Sequence, residues 1–180
     1  MDTFILSQTL VHIGDLNNID NNTLKKVCLK NKNFSLKKRA KDETDTLSED
    51  CTIPYHKELK KVIEQLISMY KDKFKINLKL DQFWGHIHEK NHSTNLHNHV
   101  NPSNLENSAV ISGVYYVYIP KKSGKIVFDY NINQYETRRH WFQPVTGRYL
   151  LFPSYLNHFV TRNLDKEERI SISFNFKLDK

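Results

Sequence analysis

ERISISFNFKL, residues 168–178, divides cleanly when its residues are taken two by two. Ile170, Ile172, Phe174 and Phe176 fall on one side of an extended chain, and Arg169, Ser171, Ser173 and Asn175 fall on the other, because successive side chains of a strand point to opposite faces. Exposure to water would explain the serines alone. An arginine heading that polar face suits the lumen of a barrel that holds an anion, since a guanidinium pairs bidentately with a carboxylate.

Upstream of this stretch the same alternation recurs. INLKL (76–80), FWGHIHE (83–89), SAVISGVYYVYIP (108–120), GKIVFDY (124–130), RYLLFPS (148–154) and NHFVTRN (157–163) all read as short strands separated by turn residues, the pattern of a sandwich, barrel or jelly roll. Before residue 75 the period is helical. In PYHKELKKVIEQLISMYKDKF (54–74), Leu59, Val62, Ile63, Leu66, Met69, Tyr70 and Phe74 form one apolar stripe, with Pro54 suited to the first turn. Residues 20–30 read as a shorter helix behind polar capping residues, residues 3–13 as a first strand or two, and the charged residues 31–52 as a long loop. The expected fold is α+β and mainly β, an N-terminal helical layer packed on an antiparallel barrel or jelly roll of strands. A chain of 180 residues suits one domain, with residues 1–75 as the strand and helix layer and residues 76–180 as the jelly-roll core.

Composition narrows the function classes. Aromatic residues make up 12% of the chain, which argues against a disordered protein. No apolar run reaches the length of a membrane span, and the N-terminus has an acidic residue at position 2 and no basic leader region. Cys28 and Cys51 lack metal-type spacing and read as free thiols of a reducing compartment, the cytoplasm. The net charge of +7 owes much to KKVCLKNKNFSLKKRAK, residues 25–41. Such a run can attract nucleic acid, but no motif supports that partner, and a solvated lysine-rich face is the preferred reading.

Five of the nine histidines crowd into HIHEKNHSTNLHNH, residues 86–99. His97 and His99 stand two apart, so an extended backbone turns both to one side, and histidine is the commonest metal-ligand side chain. Alone the pair is a weak motif. It gains weight from LLFPSYLNHFV (150–160), which delivers His158 some sixty residues later, and from Arg169 beyond it. Trp84, His86 and His88 share a strand face and are candidates to line the same pocket, while Tyr115, Val117 and Ile119 read as core facing away from Tyr116. NQYETRRHWFQPV (133–145) reads as a loop, either solvated or recognising an acidic group through Arg138 and Arg139.

Taken in order, HNH, SGVYYVYIP, SGKIVFDY, FPSYLNHFV and ERISISFN resemble the 2-oxoglutarate/Fe(II) oxygenases of bacteria and phages, relatives of the prolyl-4-hydroxylase-like enzymes. The resemblance covers about residues 80–177. It implies a double-stranded β-helix that uses Fe(II), 2-oxoglutarate and O2 to hydroxylate a small-molecule or peptide substrate while 2-oxoglutarate becomes succinate, in the cytoplasm of a bacterium or a phage-infected cell. It makes His97 and His158 iron ligands and gives the far carboxylate of 2-oxoglutarate to Arg169, with Ser171 and Tyr116 beside it. The family usually has HxD where this chain has His97-Asn98-His99, although the bacterial and phage sequences often carry HxH. Three readings of the third ligand stand: His99, Asp129 from IVFDY, or water. The alternative to an oxygenase is a non-catalytic, cupin-like metal or small-molecule binder, which has no reason to keep Arg169-x-Ser171 after His158.

Overall fold

In chain order the elements are β1 (His12–Asp15), α1 (Asn21–Lys30), β2 (Glu49–Cys51), α2 (Lys57–Phe74), β3 (Leu78–His88), β4 (Thr94–His97), β5 (Ile111–Tyr118), β6 (Ile126–Asn133), β7 (Glu136–Phe142), β8 (Arg148–Pro153), β9 (Asn157–Val160) and β10 (Arg169–Leu178). They come from a computed structural model that describes residues 9–32 and 49–179. The beginning of the expected 3–13 strand, and much of the expected 31–52 loop and of the basic 25–41 run, lie outside the described residues.

Among the described residues every strand pairing is antiparallel, and the strands form two sheets. One sheet has six strands in the order β1-β8-β5-β10-β3-β2, and the other has four in the order β4-β9-β6-β7. The alternation of β10 organises both layers. Its outward residues Ile170, Ile172, Phe174 and Phe176 are fully buried with Leu24 of α1 and Leu59, Val62, Ile63 and Leu66 of α2. Removing each such side chain from water contributes roughly 1.5–3 kcal/mol. Its polar face turns inward. A second, smaller core joins the two sheets through Val114, Tyr116, Leu150 and Phe152 on one side and Ile126 and Phe128 on the other. The result is a mainly β double-stranded β-helix with a helical layer on the outer face of the larger sheet. Among the described residues no helix is long and apolar enough to cross a membrane.

Several expectations need correcting. The strand parts of INLKL and FWGHIHE, from Leu78 to His88, join in one strand, β3, whose Asp81 is held by Lys177 Nζ of β10 at 2.8 Å. Helix α2 begins at Lys57, after Pro54. Its N-cap is His56, whose Nδ1 accepts from the Glu58 N–H at 3.2 Å. Met69 is exposed rather than part of the buried stripe. Ile119 lies beyond the end of β5 and packs against the cluster that contains Tyr116. Part of the 31–52 loop is the edge strand β2, and part of the 133–145 loop is the edge strand β7.

Gly113, in the middle of β5, leaves no room for a side chain. A Cβ there would stand 2.4 Å from Phe174 Cε2 and 2.7 Å from the Leu150 carbonyl oxygen. Gly113→Ala should therefore destabilise the protein by about 1–3 kcal/mol, the usual cost of overpacking a core, seen as a lower midpoint in denaturant unfolding. An unchanged midpoint would mean that β5, β8 and β10 pack less tightly than described.

Candidate active site

The pairing of β4 with β9 sets His97 directly opposite His158. His99 follows two residues later, where its backbone N–H donates to the Ser154 carbonyl at 2.9 Å. The three imidazoles each offer a nitrogen, and these nitrogens lie within 4.8 Å of one another. Two of the rings have a fixed tautomer. His97 Nδ1 is 2.8 Å from the Asn95 carbonyl oxygen, and His158 Nδ1 is 2.9 Å from that of Leu156. A carbonyl only accepts, so each Nδ1 carries the proton and each Nε2 keeps a lone pair for a metal. Burial, reinforced by the neighbouring His97, pushes His158 down to about 3 and His99 down to about 4. Both rings are thus neutral and able to ligate at ordinary pH. Phe128 and Phe152 flank His158 at ring-centroid distances of 5.9 and 4.8 Å, and Trp84 lies 5.6 Å from His99.

Asp129 does not join this cluster. On β6 it is Phe128 that pairs with His158, while Asp129 pairs with Asn157. The alternation of the strand therefore sends the Asp129 carboxylate to the opposite face of the sheet, where its Oδ2 accepts from Arg139 Nη2 at 3.4 Å.

Deeper in the lumen Arg169 is 1% exposed. Its Nη1 donates to Ser171 Oγ at 3.2 Å and to His88 Nδ1 at 3.1 Å. Its guanidinium carbon lies 5.2 Å from the centre of the Tyr116 ring. Arg169 Nε and the Tyr116 hydroxyl are buried side by side, close enough for Tyr116 to support the arginine's charge, yet among the described residues neither atom makes a hydrogen bond of good geometry and no carboxylate pairs with Arg169. Three other basic side chains are engaged elsewhere. Arg148 bonds Asp15 at 2.9 Å, Arg138 bonds Glu136 at 2.7 Å, and Lys125 sits 3.5 Å above the Trp141 ring. Arg169 and the three histidines line one cavity of about 410 Å³, together with Ser171, Ser173, Trp84 and His86.

The expected site residues are thus gathered in one place, apart from Asp129, although His88 and Tyr116 are fully buried beside Arg169 rather than among the residues lining the cavity. The sequence reading missed Thr94 and Asp50. Thr94 Oγ1 is 2.9 Å from His88 Nε2 and 3.3 Å from His86 Nε2, and Asp50 Oδ1 lies 3.0 Å from His86 Nε2. Only the strand register brings them to the lumen, and no local pattern marks either one.

This donor set fits iron and 2-oxoglutarate. Neutral nitrogens suit iron(II), and a buried guanidinium with an orphan N–H beside an orphan hydroxyl suits a carboxylate. The comparisons with known proteins agree. Three solved structures share the fold at low identity. A Pseudomonas putida prolyl-4-hydroxylase is 14% identical with a TM-score of 0.61, over 94% of this chain and 93% of that one. The epimerase SnoN, solved in complex with Fe3+, alpha ketoglutarate and nogalamycin RO, is 10% identical with a TM-score of 0.71, over 92% and 78% of the two chains. A prolyl hydroxylase from Trichoplax adhaerens, solved with a peptide fragment of the hypoxia inducible factor oxygen degradation domain, is 14% identical with a TM-score of 0.61, over 92% and 82%. No curated protein sequence matches the chain. The pattern of the family described as "Putative 2OG-Fe(II) oxygenase" matches residues 82–175, more than half of the sequence. That match sets aside the reading as a non-catalytic cupin-like binder: the chain belongs to the 2OG-Fe(II) oxygenase family and is an oxygenase that depends on iron(II) and 2-oxoglutarate.

Proposed function

We propose that the protein hydroxylates a C–H bond of a small-molecule or peptide substrate, with iron(II) held by Nε2 of His97 and His158 and by a nitrogen of His99, and with the far carboxylate of 2-oxoglutarate held by Arg169, Ser171 and Tyr116. The observation that carries this reading is the buried guanidinium of Arg169, which has no carboxylate among the described residues. Bound iron(II) and 2-oxoglutarate supply the oxidising chemistry, in which O2, 2-oxoglutarate and R–H become CO2, succinate and R–OH. The chain's own part is positioning. Arg169 and Ser171 fix one end of the co-substrate, and the backbone carbonyls of Asn95 and Leu156 hold two imidazoles in their ligating tautomer. Phe128 and Phe152 pack against His158 and Trp84 against His99, giving the histidine cluster an apolar side that shields it from water. We read residues 1–180 as one domain. The free, buried Cys28 favours a reducing compartment, the cytoplasm of a bacterium or a phage-infected cell.

The protein loaded anaerobically with Fe(II) and 2-oxoglutarate should show a weak visible charge-transfer band, and in air it should release succinate slowly without added substrate. Arg169→Ala should keep its iron but lose 2-oxoglutarate affinity by about 2–5 kcal/mol, the range for truncating one partner of a buried charge pair. Wild-type protein with iron bound and neither band nor succinate would contradict the reading, as would an Arg169→Ala variant with unchanged affinity.

The third ligand is tested by metal content. His97→Ala and His158→Ala should abolish iron binding and His99→Ala should reduce it severely. Asp129→Asn should have little effect, because its carboxylate faces Arg139 across the sheet. Loss of iron from Asp129→Asn, with iron retained by His99→Ala, would overturn the three-histidine site.

A further inference from the structure

Arg169 is an effective anchor only if its guanidinium is held in place, and a neighbour from a different strand holds it. His88 ends β3, and the β3–β10 register sets it directly opposite Arg169. The ring is fully buried. Its Nδ1 is 3.1 Å from Arg169 Nη1 and its Nε2 is 2.9 Å from Thr94 Oγ1. The chemistry of the partners fixes its protons. A guanidinium only donates, so Nδ1 must accept, and the remaining proton lies on Nε2 and is donated to the threonine hydroxyl. Both hydrogens of Nη1 are then used, one by His88 and one by Ser171, which fixes how the rest of the guanidinium faces the cavity.

We propose that His88 is a positioning residue for the co-substrate, a neutral imidazole that clamps Arg169 and ties it through Thr94 to β4, the strand that carries His97. The proposal rests on the reading of Arg169 as the 2-oxoglutarate anchor. Protonation of His88 is opposed first by burial and then by the adjacent Arg169 charge. A protonated ring would set an N–H against an N–H at 3.1 Å. Thr94 stands three residues before His97 on β4, so the bond from His88 joins the carboxylate anchor of the larger sheet to the metal-bearing edge of the smaller one. The backbone of His88 is fixed as well, since Asn163 Nδ2 donates to its carbonyl at 3.0 Å. An imidazole that merely filled the core would not need one defined tautomer. This one does, because its partner can only donate.

The test compares His88→Phe, which keeps a flat ring but removes the acceptor, with His88→Asn, whose Oδ1 can take the place of Nδ1. Arg169→Ala serves as reference, and anaerobic titration of the iron-loaded proteins with 2-oxoglutarate is the readout. His88→Phe should bind iron as the wild type does and weaken 2-oxoglutarate binding by about 10–100-fold, the usual effect of losing a partner one shell out. The KM for 2-oxoglutarate should rise in step while kcat at saturation changes little, and His88→Asn should recover most of the affinity. Long-range 1H–15N spectra of the wild-type protein should show Nδ1 of His88 without a proton. The proposal is overturned if His88→Phe binds 2-oxoglutarate like the wild type while Arg169→Ala does not, if His88→Asn is no better than His88→Phe, or if the spectra place the proton on Nδ1. Equal binding by wild type and Arg169→Ala would instead remove the anchor reading itself. The spectra would then still decide whether His88 holds Arg169.

Discussion

Arg169 keeps its charge inside the molecule at 1% exposure, and the arrangement of the lumen follows from that. Stripping water from an ion without supplying a counter-charge costs several kcal/mol. The surroundings lower this cost only in part. Ser171 and the neutral His88 supply acceptors, and the face of Tyr116 lies beside the guanidinium. None of them carries negative charge. A cavity with this cation at one end and three convergent imidazoles at the other suits, under the proposed reading, a dianion such as 2-oxoglutarate, the co-substrate of the family, which has a carboxylate at each end.

The same strand carries both the core and the anchor. The apolar half of β10 ties the two helices to the larger sheet, while its polar half faces the cavity. Because the side-chain period is two, a slip of one residue would bury Ser171 and Ser173 under the helices and turn Ile170 and Phe174 into the lumen. The packing of α1 and α2 thus sets the register that aims Arg169, so that fold stability and the proposed co-substrate anchor depend on one alternation.

That alternation is why much of the fold is legible in the sequence. Strands buried on at least one face, such as β5, β8 and β10, announce themselves through apolar residues at regular spacing. The strands that escape notice are edges. Among the described residues β7 borders only β6 and carries Glu136, Arg138 and Arg139, and β2 is three residues long. Edge strands are commonly short or charged, so neither has an apolar period to read. Of the site, His97 and His99 are visible as a same-face pair, and Arg169 as an arginine out of place. The contributions of Thr94 and His88 depend on which strand lies opposite which, and one sequence does not reveal register between distant segments. The orientation of Asp129 is a matter of register too: IVFDY shows a carboxylate near the site but not which face it takes.

Three neutral imidazoles, as proposed, would leave the metal its full double charge beside Arg169, where a carboxylate ligand would have reduced it. An ion of that charge dominates the electrostatics of its surroundings, so the proposed centre should favour the two carboxylates of 2-oxoglutarate more strongly than an HxD site would. The central claim is spatial, and a crystal structure of the protein grown anaerobically with Fe(II) and 2-oxoglutarate tests it most directly. The account predicts a metal bonded to His97, His99 and His158, with the far carboxylate of 2-oxoglutarate on the Arg169 guanidinium and Asp129 still on Arg139. Asp129 among the metal ligands, or the carboxylate seated on another cation such as Arg148 or Lys125, would contradict it.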